Sequence, residues 1–315
     1  MKVSVLLLSY NQAEFVAKAI QSVVSQQTSF SFELLISDDC STDGSREIIL
    51  DFQNRYPQII RSFFQEENLG PKNNDYFIFQ QSKGEYICYC EADDFWCDDL
   101  KLQKQVSFLE ANPDYGLVHG DANYLYLDTN KYIASYNKSE SIQVASGEIY
   151  EKVMLGNHYI KTMTACFRKD LINRYYFTDD YITGSNWMMV DLSLWLCISY
   201  HSKIKYFEDT FSTYCLREES MSRSKSPRKL HHFHLDIFDI RFHFIRKYGC
   251  LLESQNAINL GYIKMLIGDA FQLNDLSILK KSIQFIRLKG VFIGAKNWML
   301  IFLVFCKSLV LPTKN

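Results

Sequence analysis

With 315 residues, 47% of them hydrophobic and 15% aromatic, the chain is long enough for one large α/β domain plus an appendage and too apolar for disorder. A net charge of −2 excludes the strongly basic surface of a nucleic-acid-binding protein. Nine cysteines without a C-x-x-C pair support neither a zinc site nor a disulfide framework, and residues 3–8 lead straight into polar residues without a signal-peptide pattern. The expectation is a chain kept in a reducing cytosol.

Residues 3–9 form a nearly continuous apolar run, as for a parallel strand covered on both faces. A turn at Tyr10-Asn11-Gln12 leads to a helix with Ala13, Ala17, Ile20 and Val24 on one stripe. Residues 32–37 are a second strand, ending in Asp38-Asp39-Cys40-Ser41-Thr42-Asp43-Gly44-Ser45. Strand, helix and strand make a crossover unit, the start of a doubly wound sheet. Ser41, Thr42 or Asp43 suits the cap of a helix over residues 46–56, which Pro57 ends. That leaves Asp38 and Asp39 at the carboxyl edge of the sheet, with acceptors for a nucleobase imide or a ribose. Residues 59–65 are a third strand. The loop at residues 67–74 presents backbone N–H groups and Lys72 either to an anion or to solvent. A helix over residues 75–81 follows.

Gly84 then breaks the chain before a short buried strand, residues 85–90, which runs into Glu91, Asp93 and Asp94 and the aromatics Phe95 and Trp96. Carboxylates at the end of a buried strand are costly to desolvate unless a cation or donors meet them. A helix cap requires one acid, not three. The economical explanation is a hard divalent cation carried with a phosphate-bearing ligand. Residues 100–109 carry a helical stripe through Leu102, Val106 and Leu109 and stop at Asn112-Pro113.

Residues 116–136 alternate as strands, with 117–121 expected beside the acidic motif, and residues 159–168 are the clearest later strand. Asn157, Thr162 and Thr164 are candidate polar contacts for a bound ligand, although threonine is also a good strand former. Asp191 starts an apolar helix whose stripe is Leu192, Trp195 and Leu196, a position that also suits a simple cap. Residues 203–207 and 211–214 are closing strands. His231 and His234 share a helix face, but no third metal ligand of fitting spacing accompanies them, so ordinary histidines are expected.

After residue 225 the pattern becomes long helical periodicity, three or four helices. No acid appears after Asp275, whereas Lys280, Lys281, Arg287, Lys289, Lys296, Lys307 and Lys314 do. Residues 298–306 are strongly apolar but too short to span a bilayer. Lys289, Lys296 and Lys307 fall on one side of a helix, which suits either a helix in the membrane interface or one packed on protein, including a homodimer.

Four segments together resemble glycosyltransferase family 2: Ser4-Val5-Leu6-Leu7-Leu8-Ser9-Tyr10-Asn11; residues 36–45; Asn68-Leu69-Gly70 with Lys72-Asn73; and Gly84-Glu85-Tyr86-Ile87 through Glu91-Ala92-Asp93-Asp94-Phe95-Trp96. The helix at residues 101–113 is similar to the family's segment after its acidic motif. The resemblance covers roughly residues 1–220. It implies a GT-A (Rossmann-like) mixed, mostly parallel α/β sheet flanked by helices. Residues 1–222 would be catalytic, 1–115 binding the nucleotide sugar and 116–222 facing the acceptor, with residues 223–315 a helical extension.

The resemblance also implies roles. Ser9, Tyr10, Asn11 and Asp39 hold the donor nucleobase, with Lys72 in the donor loop. Asp93 contacts ribose or sugar, and Asp94, with Asp93 able to exchange, holds Mn²⁺ or Mg²⁺. Glu91 stands where many relatives have aspartate. Asp191 occupies the general-base position. Segment 217–222 is similar to one near the donor diphosphate, with Cys215 at the usual Arg position and Arg217 at the usual His position; Arg217 offers its donor fork to phosphate. The expected activity is inverting transfer of a sugar from a nucleotide diphosphate donor to a hydroxyl of a surface glycan or lipid-linked oligosaccharide, at the inner membrane face. A nucleotidyltransferase, which would favour a Gly- and basic-rich first loop, and a silent sugar-nucleotide-binding or scaffold protein are the alternatives.

Overall fold

The computed structural model describes residues 1–157, 160–187, 189–217, 224–291 and 294–310, and divides the chain into two compact units, Met1–Arg217 and Glu218–Asn315.

The first unit is built on a mixed sheet. Strand β1 (Val3–Ser9), helix α1 (Val16–Val24), β2 (Phe32–Asp38), α2 (Ser45–Arg55), β3 (Ile60–Phe64), α3 (Pro71–Gln81) and β4 (Tyr86–Tyr89) alternate in chain order. Strands β3-β2-β1-β4 lie side by side and parallel, so the ends of β1, β2 and β4 reach one edge together. Their apolar runs are covered on both faces, with Val5, Leu7, Leu34, Ile36 and Cys88 fully buried.

The later elements are β5 (Phe95–Trp96), α4 (Lys101–Ala111), β6 (Tyr115–Tyr126), β7 (Lys131–Ile133), α5 (Tyr136–Ser139), α6 (Tyr150–Leu155), β8 (Cys166–Arg168), α7 (Lys169–Leu171), α8 (Asp180–Gly184), α9 (Val190–His201) and β9 (Lys203–Leu216). The sheet continues β4-β8-β6-β9-β5. Strands β8, β7 and β5 join antiparallel, so parallel pairing is confined to β3-β2-β1-β4 and the β6–β9 pair.

Several sequence expectations shift. The buried side of α1 is Val16, Ala19, Ile20 and Val23, not the Ala13, Ala17, Ile20 and Val24 stripe. The helix starts at Val16, because the Ala13 N–H is held by Asp43 Oδ2 and the preceding residues form a turn. Helix α3 starts at Pro71, four residues early, as suits proline's preset φ at a first helical turn. The neighbour of β4 is β8 rather than residues 117–121, which lie in β6 on the far side of β8. Of the strand expected over residues 159–168, only Cys166–Arg168 is extended. Thr162–Thr164 is a 3₁₀ turn in which the Thr164 N–H and hydroxyl both donate to Lys161 O, and Tyr159 lies outside the described residues. The two closing strands are one, β9. Helix α9 is buried from Ser193 through Ser199 rather than along a stripe, with Leu192 only partly covered.

Gly84 is required by a close approach. A Cβ there would lie 2.3 Å from the Ser4 backbone N, where the Gly84 N–H reaches Ser4 Oγ.

The second unit comprises helices α10 (Pro227–Tyr248), α11 (Leu252–Leu273), α12 (Leu276–Lys289) and α13 (Ala295–Val310). Ile263, Leu266, Ile267, Leu279, Ile301 and Val304 form its core. Asp269 on α11 receives His231 Nδ1 at 2.7 Å and lies 3.7 Å from His234 Nδ1, so His231 ties α10 to α11 while His234 stands nearby without a hydrogen bond to it. Among the described residues no helix is long and apolar enough to cross a membrane.

Candidate active site

The edge at the ends of β1, β2 and β4 gathers the first-half motifs, and it is the edge of an open α/β sheet where ligands bind. The turn after β1 and the acidic turn after β2 are joined directly. Asn11, with a positive φ of 52°, donates its N–H to Ser41 Oγ at 2.9 Å, while its Oδ1 accepts from Thr42 N at 3.0 Å. Gln12 N donates to Ser45 Oγ. Ser41 and Asp43, expected as caps of α2, serve this joint instead: the N-cap of α2 is Gly44, in the left-handed region and without a side-chain cap, although Asp43 Oδ1 receives the Ser45 N–H. Ser9 is buried with its hydroxyl unpartnered, and Tyr10 is exposed.

Asp38 accepts from Arg46 Nε at 2.7 Å and from Ser41 N at 3.0 Å. Asp39 does not keep both oxygens free. Its Oδ1 accepts the Leu69 N–H at 2.7 Å and its Oδ2 the Gly70 N–H at 3.0 Å. These are the backbone donors expected to meet an external anion; they meet an internal one. Lys72 likewise turns away from the edge. Its Nζ donates to the carbonyls of Ile182 and Thr183 at 3.2 Å and to Ser185 O, capping the end of α8.

The acidic motif follows β4 as a tight turn, with the Asp94 N–H donating to Glu91 O at 3.0 Å. Asp94 is buried, and its Oδ1 accepts the Cys215 N–H from β9 at 2.7 Å. Burial, and then the charges of Glu91 and Asp93, push its carboxyl well above the usual range. Glu91 has a buried Oε2 without a hydrogen-bond partner. Burial first, then Asp93, with Asp191 and Asp75 adding, raise Glu91 to about 8. Burial raises Asp93, and Arg217 opposes the shift. The Arg217 guanidinium lies 4.0 Å from Asp93 Oδ2, donates to Gln12 Oε1 at 2.7 Å and covers the Phe15 ring. Residues 218–222 of that segment lie outside the described residues.

Asp191 stands in the first turn of α9, its Oδ1 accepting the Leu192 N–H, and burial raises its carboxyl. The sequence reading missed Asp75. Placed one turn into α3, it accepts the Tyr89 hydroxyl at 2.7 Å, and burial, with the charge of Asp191, raises it to about 6. The helix begins at Pro71 rather than at Asp75, which lies one turn inside it and feels the Asp191 charge. Glu91, Asp93, Asp75 and Asp191, distant in sequence, thus share one electrostatic neighbourhood. Thr162 and Thr164 sit in the 3₁₀ turn, where the Thr164 side chain is engaged internally.

Among the described residues no three His, Cys, Asp or Glu side chains converge closely enough to hold a metal by themselves. The donor set nevertheless suits one. Mg²⁺-type sites take one or two carboxylates and complete their shell with phosphate oxygens and water, and here the orphaned Glu91 Oε2 and the crowded Asp93–Asp94 pair are met, among the described residues, by one nearby cation, Arg217.

The sequence model of Glycosyl transferase family 2 matches residues 4–189, more than half of the chain. The chain belongs to glycosyl transferase family 2. The GT-A expectation agrees with the fold: a mannosyltransferase from Pyrobaculum calidifontis, PcManGT, solved with GDP-Man and Mn²⁺, superposes with a TM-score of 0.58 at 14% identity, over 98% of this chain and 80% of that one. An uncharacterized protein of Mycobacterium bovis, Mb1547, is 37% identical over 128 residues, 41% of this chain. The matched stretch spans only 37% of that relative's length. The Escherichia coli UDP-Glc:alpha-D-GlcNAc-diphosphoundecaprenol beta-1,3-glucosyltransferase WfgD is 26% identical over 71% of this chain and 80% of its own.

Proposed function

We propose that this family member transfers a sugar, with inversion, from a nucleotide diphosphate donor to a hydroxyl of a lipid-linked oligosaccharide or growing surface glycan. The observation that carries the reading is the convergence of Glu91 and Asp93, at the end of β4, and Asp191, at the start of α9, on one partly buried acidic neighbourhood. Such a concentration of like charge is unfavourable without a ligand to relieve it, and that is how functional sites are commonly built.

In this reading Asp94 and Asp93 hold a divalent cation. When bound, the cation supplies positive charge that stabilises the departing diphosphate. Arg217 offers its guanidinium to the same phosphates. The first turn and the acidic turn, locked by Asn11 and Ser41, frame the nucleobase, and Asp39 acts there by fixing the Leu69–Gly70 backbone. Lys72 supports the site by holding α8 ahead of Asp191 rather than by touching phosphate. Asp191 accepts the proton of the acceptor hydroxyl as the new oxygen–carbon bond forms and the anomeric carbon–phosphate oxygen bond breaks. Its raised carboxyl is a stronger base than an ordinary aspartate. In-line attack opposite the leaving group inverts the anomeric carbon.

The name of WfgD, with its diphosphoundecaprenol acceptor, supports a lipid-linked acceptor and a place at the inner membrane face; PcManGT with GDP-Man and Mn²⁺ supports the cation. The test is Asp191→Asn. We expect donor affinity within about twofold of the parent and transfer reduced at least ~10²-fold. Loss of donor binding instead would remove Asp191 from the role of base.

A further inference from the structure

Helix α13 is apolar on two sides. Ile301 and Val304 are buried in the core of the helical unit, whereas Trp298, Met299, Phe302 and Leu303 are 50%, 60%, 66% and 43% exposed. With about 3.6 residues per turn, positions 298, 299, 302 and 303 make one continuous face rather than scattered exceptions. A contiguous patch of large apolar side chains on a soluble surface marks an interaction site.

Charge indicates what covers it. The forty residues after Asp275 contain no Asp or Glu. Lys280, Lys281, Arg287 and Lys289 on α12 are all exposed, as is Leu288. A second copy meeting this face through the same face would bring its own acid-free, basic segment with it. An anionic lipid surface meets the basic side chains with opposite charge and takes up the apolar face in its acyl boundary, where tryptophan in particular is favoured.

We propose that α13 docks flat on an anionic bilayer through Trp298, Met299, Phe302 and Leu303, with the exposed cations of α12 drawn to lipid phosphates. The helix lies in the interface and does not cross it, consistent with the absence of a span among the described residues. This deepens the lipid-linked-acceptor reading, on which its biological purpose rests, but its test uses no sugar substrate.

The experiment is flotation of the full chain with vesicles of phosphatidylcholine alone or with about one-quarter phosphatidylglycerol. We expect binding at least ~10-fold stronger to the anionic vesicles, weakened by salt. A Trp298→Ser/Phe302→Ser variant should lose at least ~10-fold of it while keeping the parent's circular dichroism and nucleotide binding. Lys280→Glu/Lys281→Glu, which leaves the apolar face intact, should weaken anionic binding alone. The proposal is overturned by equal or absent binding to both vesicle types, by undiminished binding of both variants, or by a lipid-independent dimer that the Trp298→Ser/Phe302→Ser change dissolves.

Discussion

The backbone N–H of Cys215 donates to Asp94 Oδ1 at 2.7 Å, tying the end of the closing strand to the last carboxylate of the acidic motif. The register explains it: β5 pairs antiparallel with β9, Phe95 opposite Thr213 and Trp96 opposite Ser212, so the next position, Asp94, falls opposite Tyr214 and one residue from Cys215. One oxygen of Asp94 therefore has a structural duty, and in the proposed reaction its charge would serve the cation.

Two substitutions separate these duties. Asp94→Asn keeps an acceptor for Cys215, so its melting temperature should match or exceed the parent's, while cation-dependent donor turnover falls at least ~10²-fold. Asp94→Ala should also destabilise the fold by about 1–3 kcal/mol, because a buried N–H loses its acceptor. Unchanged Mn²⁺-dependent turnover in Asp94→Asn would take this residue out of the cation's shell.

Asp39 holds the N–H groups of Leu69 and Gly70. Asp39→Ala leaves both without an acceptor and is expected to cost about 1–3 kcal/mol in urea unfolding, with faster proteolysis around residues 67–70. Asp39→Asn, which keeps one acceptor oxygen, should fall between. A neutral unfolding midpoint for Asp39→Ala would show that the loop does not depend on this carboxylate.

Arg217 is half-exposed and contacts Gln12, Asp93 and the Phe15 ring. Arg217→Ala should leave stability nearly unaltered and raise the donor KM about 10-fold, with Arg217→Lys restoring charge but not the planar fork and recovering only part of the loss. A KM unaffected by Arg217→Ala would place the diphosphate elsewhere.

Burial lowers Lys161 from 10.5 to about 8, with the Asp121 charge opposing the shift. Between those values the unfolded chain carries the proton and the folded protein does not, so stability rises with pH across the window. Below about pH 8 the folded protein bears the whole cost of a buried cation, which one hydrogen bond to Asn137 Oδ1 and the nearby rings of Tyr124 and Tyr136 offset in part. Lys161→Met should flatten the rise in melting temperature between pH 8 and 10. An identical slope in parent and variant would assign the rise to other groups.

The amino-acid sequence by itself determined the alternating first half, the acids at the strand ends and the family. These rest on short-range patterns: unbroken apolar runs for strands buried on both faces, and acidic residues immediately after them. Residues 3–9, 32–37 and 85–90 read as strands without tertiary information, and the strands stand at Val3–Ser9, Phe32–Asp38 and Tyr86–Tyr89. Their parallel order then placed Ser9, Asp39 and Glu91 on one edge.

Tertiary structure alone decided how those acids are used. Asp39 and Lys72 looked equally available to a ligand in the sequence, yet one holds the Leu69–Gly70 backbone and the other caps α8. Asp75 was hidden because a helix start misplaced by four residues put it at the helix end rather than one turn inside, where it accepts the Tyr89 hydroxyl. The sequence pattern set Lys289, Lys296 and Lys307 on one side of a single helix, but Lys289 closes α12 and the other two belong to α13; which apolar side of α13 is buried was decided by its packing. Partner choice depends on contacts between residues more than a hundred positions apart, as between Asp94 and Cys215, and no local pattern encodes such a distance.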